Sequence, residues 1–507
     1  MNYSDTFFSL FVPLAVIVLV LLSKRIVLSL FVGIVLGGIM MHYQEPLHIF
    51  SYVYEKISSV FYEYSPQEGL SANWGGIYVF LFLLSLGILS QVVLVCGGVA
   101  AFVEWARSRV KDTRTSEFVA FFAGIVIFID DYFNALTVGQ IAKPLSAMHQ
   151  SSRERLAYII DSTSAPICVL VPISSWGAYI IGILQSSLPK DQGNALFVLF
   201  GSIGGNFYAW FALIAVFLTI LWQINLPVMR KNINVSIPQD HQGEYPPSKI
   251  SLLLLPIVAL IFCILFMIFY TGYKTSGSFE ILTMLANCDT PFSLFCGGMI
   301  ALLFSLILSH QYIAPYQYTY IVYSGVKAML PAIVILVLAW AIGPVIKEDL
   351  KTGLYLANLA KENLSSQTLL LLPFSLFLVS AFISFSTGTS WGCFAIMIPI
   401  AIELSLQSGG NMIIAISAVL SGAVYGDHTS PMSDTTILSS IGAGCSLQSH
   451  FITQLPYAGI CAFFAGGSFL IFSLTQSILI SFVICAMGLI GVFWLLKVKF
   501  GGELQGV

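Results

Sequence analysis

Five aspartates sit where a lipid-embedded chain should have few. Asp130, Asp131, Asp161, Asp427 and Asp434, with Glu403 as a sixth carboxylate, lie within or beside long apolar stretches. A carboxylate near a bilayer centre costs about 2.5–3.5 kcal/mol on insertion scales, so each is first a candidate for function. All but Glu403 cluster in short polar interruptions instead of being scattered through the other apolar runs. Oxygen side chains surround them: Asn134, Thr137, Ser162, Thr163 and Ser164, then Ser386, Thr387, Thr389, Ser390, Thr429, Ser430, Ser433, Thr435 and Thr436. Oxygen is the ligand that a hard cation such as sodium prefers, and no transition metal is expected at such a donor set. A buried aspartate also binds protons, because desolvation raises its pKa while a bound cation lowers it again. One carboxylate that takes either H+ or Na+ would couple the two ions by competition. Asp161 and Asp427 lead, since each opens a D-x-T-S segment followed by proline, DSTSAP (161–166) and DHTSPMSD (427–434). His428 is a candidate pH sensor, because imidazole titrates near neutrality.

Each of these residues also has a plainer reading. Asp130 or Asp131 can cap a helix, as can Asp434 ahead of Thr435 and Thr436. His428 can be a hydrogen-bonded structural residue. Serines and threonines in membrane helices commonly bond back to carbonyls one turn earlier. Trp176 and Trp391, in SSWG and TSWG, suit packing better than substrate binding, and GIVLG (33–37) fits close helix packing.

The elements that hold these residues must be membrane helices. Of 507 residues, 57% are hydrophobic and only 9% charged, against roughly 25% charged in an ordinary soluble domain. Apolar runs near 20 residues, the length that spans about 30 Å of hydrocarbon, occur at 7–22, 77–103, 196–223, 251–271, 453–474 and 477–496. A net charge of −3 gives no reason to expect nucleic acid. None of the nine cysteines has C-x-x-C spacing, so packing is their expected role. The segment 7–22 lacks a positive leader and reads as a retained helix.

Basic residues mark cytoplasmic loops. They cluster at Lys24–Arg25, Arg107 to Arg114, Lys143 to Arg155, Arg230–Lys231 with Lys249, and Lys497–Lys499, where they read as topology determinants. The stretch 117–142 lies between two such clusters, and its middle is FIDDYFNALTVG. A re-entrant hairpin keeps both loops inside, and polar backbone at depth is tolerated where it faces a cavity. A second hairpin is expected at 367–407 around SFSTGTSWG. About 11 crossings then remain, with roughly 15 of the 21 basic residues inside, the N-terminus external and the C-terminus cytoplasmic.

The expected fold is therefore an all-α polytopic membrane protein built as an inverted-topology repeat, the frame of alternating-access transporters. The first repeat covers 1–223, with hairpin 117–142 and a broken helix at 156–187. A cytoplasmic linker comes next, at 224–250. The second repeat covers 251–475, with hairpin 367–407 and a broken helix at 411–440, leaving a C-terminal helix and tail at 476–507. A pore would need a continuous path that two opposed hairpins close, and an enzyme would need a nucleophile–base or cofactor constellation; neither is expected.

At these same residues the chain resembles the NhaC-type sodium/proton antiporter family. The matching stretches are FIDDYFNALTVG (128–139), LAYIIDSTSAPICVLVPISSWGAYIIG (156–182), SGAVYGDHTSPMSDTTILSSIGAGC (421–445) and TQLPYA (453–458). The resemblance covers roughly 115–475. It implies scaffold and transport domains, an elevator-like motion, often a homodimer, and Na+ and H+ as cargo in an inner membrane without a cofactor. The same resemblance leaves a small carboxylate or amino acid open as a further cargo.

Overall fold

The computed structural model describes residues 6–23, 25–65, 69–107, 109–149, 151–189, 193–231, 245–352, 355, 370–431 and 433–502. Residues 232–244 of the expected linker 224–250, the first residues of the expected second hairpin and the tail beyond 502 lie outside them. Among the described residues, eight helices are long and apolar enough to cross a membrane. They become nine if Ala195–Ile203 and Phe207–Trp222, bent by 45°, form one span. Against the all-helical expectation, a short antiparallel hairpin pairs Tyr62–Ser65 with Gly69–Ala72. It lies in the acidic segment 42–75, where the chain is too polar for a membrane helix and a glycine at φ 74° turns it.

Two sets of helices pack together. Trp74–Val95, Ser251–Ser276, Thr290–Ser309 and Gln317–Pro344 form one set. Gly87 and Gly325 let two of these backbones touch, since a Cβ on Gly87 would stand 2.4 Å from the Gly325 carbonyl oxygen. The other set holds the polar interruptions, and the chain builds it twice in the same order. Each half supplies a helical hairpin, an interrupted helix and a long closing helix. The first hairpin is Thr113–Val126 with Asp131–Met148, and the second is Leu372–Thr387 with Ser390–Ser408. The interrupted helices are Arg153–Leu170 with Ser175–Ser187, and Met412–His428 with Asp434–Ala443. Phe207–Trp222 and Leu447–Thr475 close the halves, and Ile478–Phe500 is appended.

Hydrogen bonds across the tips establish that both hairpins reverse. Asn134 Nδ2 donates to the carbonyls of Gly124 and Ile127 at 2.7 and 2.8 Å, although ten residues of straight helix would separate Asn134 from Gly124 by about 15 Å. Cys393 Sγ lies 3.4 Å from the Ser380 carbonyl, thirteen residues back. Asp130 starts the second arm of the first hairpin as its cap, with Oδ1 accepting from the Tyr132 N–H. Gly388, at φ 72°, ends the first arm of the second hairpin in the left-handed conformation that glycine adopts freely. At the mouth of the first hairpin Asp112 caps Thr113–Val126. The Thr115 side-chain and backbone donors hold its carboxyl below the usual carboxylate range.

The breaks differ from expectation in one respect. DSTSAP does not open an interruption: the helix runs on from Arg153 to Leu170 and breaks at Val171–Ser174. Proline removes one intrahelical donor and leaves the carbonyl four residues back without it. At Pro166 that carbonyl is Ser162's and the helix continues to Leu170, with the hydroxyls of Thr163 and Ser164 bonding back to the neighbouring carbonyls of Ile159 and Asp161 at 2.8 and 3.2 Å. At Pro172 the orphaned carbonyl is that of Cys168; Ser174 Oγ takes it over at 2.6 Å and caps the next helix through the Gly177 N–H. In the second half the break does come after the aspartate, at Thr429–Ser433.

Candidate ion site between the hairpins and interrupted helices

The two halves meet backbone to backbone. A Cβ on Gly139, in the first hairpin, would stand 2.6 Å from Gly442 Cα in the second interrupted helix. Gly124 makes room for the Thr163 side chain, and Gly422 and Gly426 press Met412–His428 onto the carbonyls of Phe377 and Ala381. These contacts bring Asp161 of one half beside His428 of the other.

Asp161 is fully buried. Its Oδ2 accepts from Gln454 Nε2 at 2.7 Å and from the more distant Thr436 hydroxyl at 3.4 Å, and faces His450 Nε2 at 3.2 Å and His428 Nε2 at 3.8 Å. Its Oδ1 accepts no hydrogen bond. Gln454 Nε2 also donates to the His428 carbonyl at 2.5 Å, while His428 reaches Tyr208 through Nδ1 at 2.6 Å and the Ser162 hydroxyl through Nε2 at 3.3 Å. Both ring nitrogens of His428 are thus engaged.

Asp427 lies in the last turn of Met412–His428, within electrostatic reach of Asp161 and Asp131. Ser390 donates to its Oδ2 through its backbone N–H at 3.1 Å and its hydroxyl at 2.8 Å. Asp427 Oδ1 accepts no hydrogen bond, with the Ser433 hydroxyl beside it. Ser430 anchors the break to the second hairpin by donating to the Phe385 carbonyl at 2.7 Å, and Thr429 bonds back to Tyr425 at 2.8 Å.

At the first hairpin tip Asp130 and Asp131 are both buried. Asp130 Oδ2 accepts from the Ser175 hydroxyl at 2.9 Å, and its neighbour Ile129 accepts from the Ser175 N–H at 2.8 Å, so the tip is pinned to the first break. Asp131 sits beside Asp130 and Trp176. Asn134 Oδ1 and Thr137 Oγ1 are buried without a hydrogen-bond partner. Trp176, Trp391, Tyr179 and Phe394 pack between the two tips, with Tyr179 and Trp391 centroids 4.3 Å apart, as their packing role requires.

Several candidates stand apart from this centre. Asp434 is exposed and accepts from Tyr132 at 2.8 Å, while the cap of its helix is Ser433. Thr387 is nearly buried, Ser386 and Thr389 are half-buried, and Glu403 is half-buried and held by Gln407. Thr163 is spent on its own helix and the Gly124 contact.

Sequence reasoning missed four partners. His450 and Gln454 lie one turn apart on Leu447–Thr475, and their i, i+4 spacing in an apolar helix was the available signal. Tyr208 carried none. Arg155 reads as a topology marker, yet it is 2% exposed and forms a 2.6 Å ion pair with the buried Glu117. Its guanidinium also donates to Thr219, Ile224 and Asn225.

The model of the Na+/H+ antiporter family matches residues 167–474. A Haemophilus influenzae protein is 37% identical over 514 residues, covering 98% of this chain and 96% of its own. The Malate-2H(+)/Na(+)-lactate antiporter of Bacillus subtilis is 28% identical over 186 residues, 36% of this chain and 37% of that one. Among solved structures, the YdaH transporter of Alcanivorax borkumensis aligns over 84% of this chain and 89% of its own. Its TM-score is 0.56 at 13% identity, a likeness of fold. The chain is a multi-pass membrane transporter that belongs to the Na+/H+ antiporter family.

Proposed function

We propose that this protein exchanges Na+ for H+ across the inner membrane by alternating access, with its two halves inverted and the hairpins and interrupted helices moving as an elevator-like unit. The observation that carries the reading is the pair of buried carboxylates at the centre, Asp161 and Asp427. Each has one oxygen held by neighbouring donors and the other, Oδ1, free of hydrogen bonds. Buried polar atoms are normally satisfied, so two unsatisfied carboxylate oxygens fit groups whose partner is the cargo. Sodium and protons are the charges such oxygens bind. No cofactor enters the scheme, the working form is a homodimer, and the C-terminus is cytoplasmic.

A second reading, a Na+-coupled carrier of a small carboxylate or amino acid, is favoured by the similarity to the malate/lactate antiporter. One experiment separates them: dissipation of a pH gradient in everted vesicles lacking other antiporters, on adding Na+ alone. Relief of the gradient by wild type and not by Asp161→Asn supports exchange. No relief by Na+ alone, with Na+-dependent entry of an organic solute, would replace it with the second reading.

A further inference from the structure

We infer, resting on the exchange reading above, that the two ions do not compete for one carboxylate: Asp427 holds Na+ and Asp161 carries the exchanged proton. The two sites differ in donor chemistry. Around Asp427 hydroxyls predominate: Ser390 Oγ at 2.8 Å and the Ser433 hydroxyl, with the Ser390 N–H at 3.1 Å the one nitrogen on Oδ2, and the nearby Ser384 hydroxyl is buried with no hydrogen-bond partner. Ser384 lies across the Gly426 contact, one residue from Asp427. Asp427 also closes the C-terminal turn of Met412–His428, where the helix dipole is negative and favours a cation. The unbonded Oδ1 completes a donor set that suits sodium.

Asp161 has the opposite surroundings. It lies in the middle of Arg153–Leu170, away from either pole. Nitrogen faces its Oδ2 from three directions, Gln454, His450 and His428. N–H groups aimed at a carboxylate leave no room for sodium on that oxygen, but they tolerate a proton on Oδ1. The titratable groups facing Asp161 from the packed elements are His428 and Asp427, His450, and Tyr208, with the Glu117–Arg155 pair six residues back on its own helix side. His428, bridging Tyr208 and Ser162, offers a hydrogen-bonded path by which the proton leaves. Because Asp161 and Asp427 sense each other electrostatically, a cation on one weakens binding of the second at the other. That supplies the coupling which separate sites require.

The test is binding of radioactive 22Na+ to the purified full-length protein, beside Na+-driven proton movement in proteoliposomes. Asp427→Asn should lose 22Na+ binding by at least about tenfold, as removal of a charged partner does. Asp161→Asn should keep that binding while losing proton movement. Ser390→Ala, which retains both carboxylates, should weaken 22Na+ binding, and His450→Gln should slow proton movement with 22Na+ binding intact; these cover misfolding of an aspartate variant. Loss of 22Na+ binding in both aspartate variants, or the reverse pattern, overturns the assignment. Wild type that binds no 22Na+ removes the exchange reading itself, and the assignment with it.

Discussion

Gly426→Ala tests whether the close approach of two helices positions Asp427. A Cβ at Gly426 would stand 2.2 Å from the Ala381 carbonyl oxygen, 2.6 Å from the Phe385 nitrogen and 2.8 Å from Ser384 Cβ. Two of these are backbone atoms of Leu372–Thr387, so no side chain can swing aside. Ordinary contact begins near 3.4 Å, and the helices must therefore part by about 1 Å. Asp427 is the next residue, and Ser390 lies five positions beyond Phe385 around the tip. A 1 Å shift carries the Ser390 hydrogen bonds, now 2.8 and 3.1 Å, to or past the distance at which they hold. Overpacking of this kind costs about 1–3 kcal/mol, and a hydrogen bond to a charged group contributes about 1.5–3 kcal/mol. The expected outcome is a lower melting temperature together with an apparent Na+ affinity weakened about tenfold or more, since about 1.4 kcal/mol is one decade. Gly459→Ala is the control. Nothing lies within 4 Å of its Cβ, so it should leave transport unchanged and stabilise its helix by about 0.5–1 kcal/mol. Gly426→Ala with wild-type melting and wild-type Na+ dependence would refute the reasoning.

Buried and capping charges give two more expected outcomes. Arg155→Met leaves Glu117 charged and without its partner in a fully buried position, which should cost about 3–5 kcal/mol. Arg155→Met with Glu117→Gln should recover much of the loss in a thermal melt, and a double variant as unstable as the single one would rule out stranded charge as the cause. Asp112→Ala should destabilise the mouth of the first hairpin by about 0.5–2 kcal/mol at neutral pH. Because the folded carboxyl titrates below its ordinary value, the cap is fully present above pH of about 4 and is lost as pH falls through the lowered value. The difference between wild type and variant melts should accordingly shrink toward low pH, and a constant difference would separate the cap from ionisation.

The first hairpin was legible because two independent signals agreed, the basic clusters on either side and the polar midpoint between, and the second was legible from its polar, glycine-rich midpoint alone. The breaks were half legible. Pro166 and Pro172 are equivalent in the sequence, yet only the second interrupts its helix. At Pro172 the Ser174 hydroxyl takes the freed Cys168 carbonyl and caps a new helix, and that geometry is absent from a string of residue types. The partners of Asp161 were hidden for another reason. His450 and Gln454 stand nearly three hundred residues away, and their spacing marks a polar face without naming what it touches.

The shared D-x-T-S segments also mislead about equivalence. With the two interrupted helices aligned on their breaks, Val169 stands where Asp427 does, and Val419 stands where Asp161 does. The repeated elements therefore place their carboxylates at different heights, one mid-helix facing mostly nitrogen and one at a helix end facing mostly hydroxyls. A duplicated fold with equivalent aspartates would give two copies of one site. Here the register differs by eight residues, and the Gly139–Gly442 crossing sets the unlike sites side by side. On the exchange reading proposed above, that difference in register is what would let one unit handle two different ions.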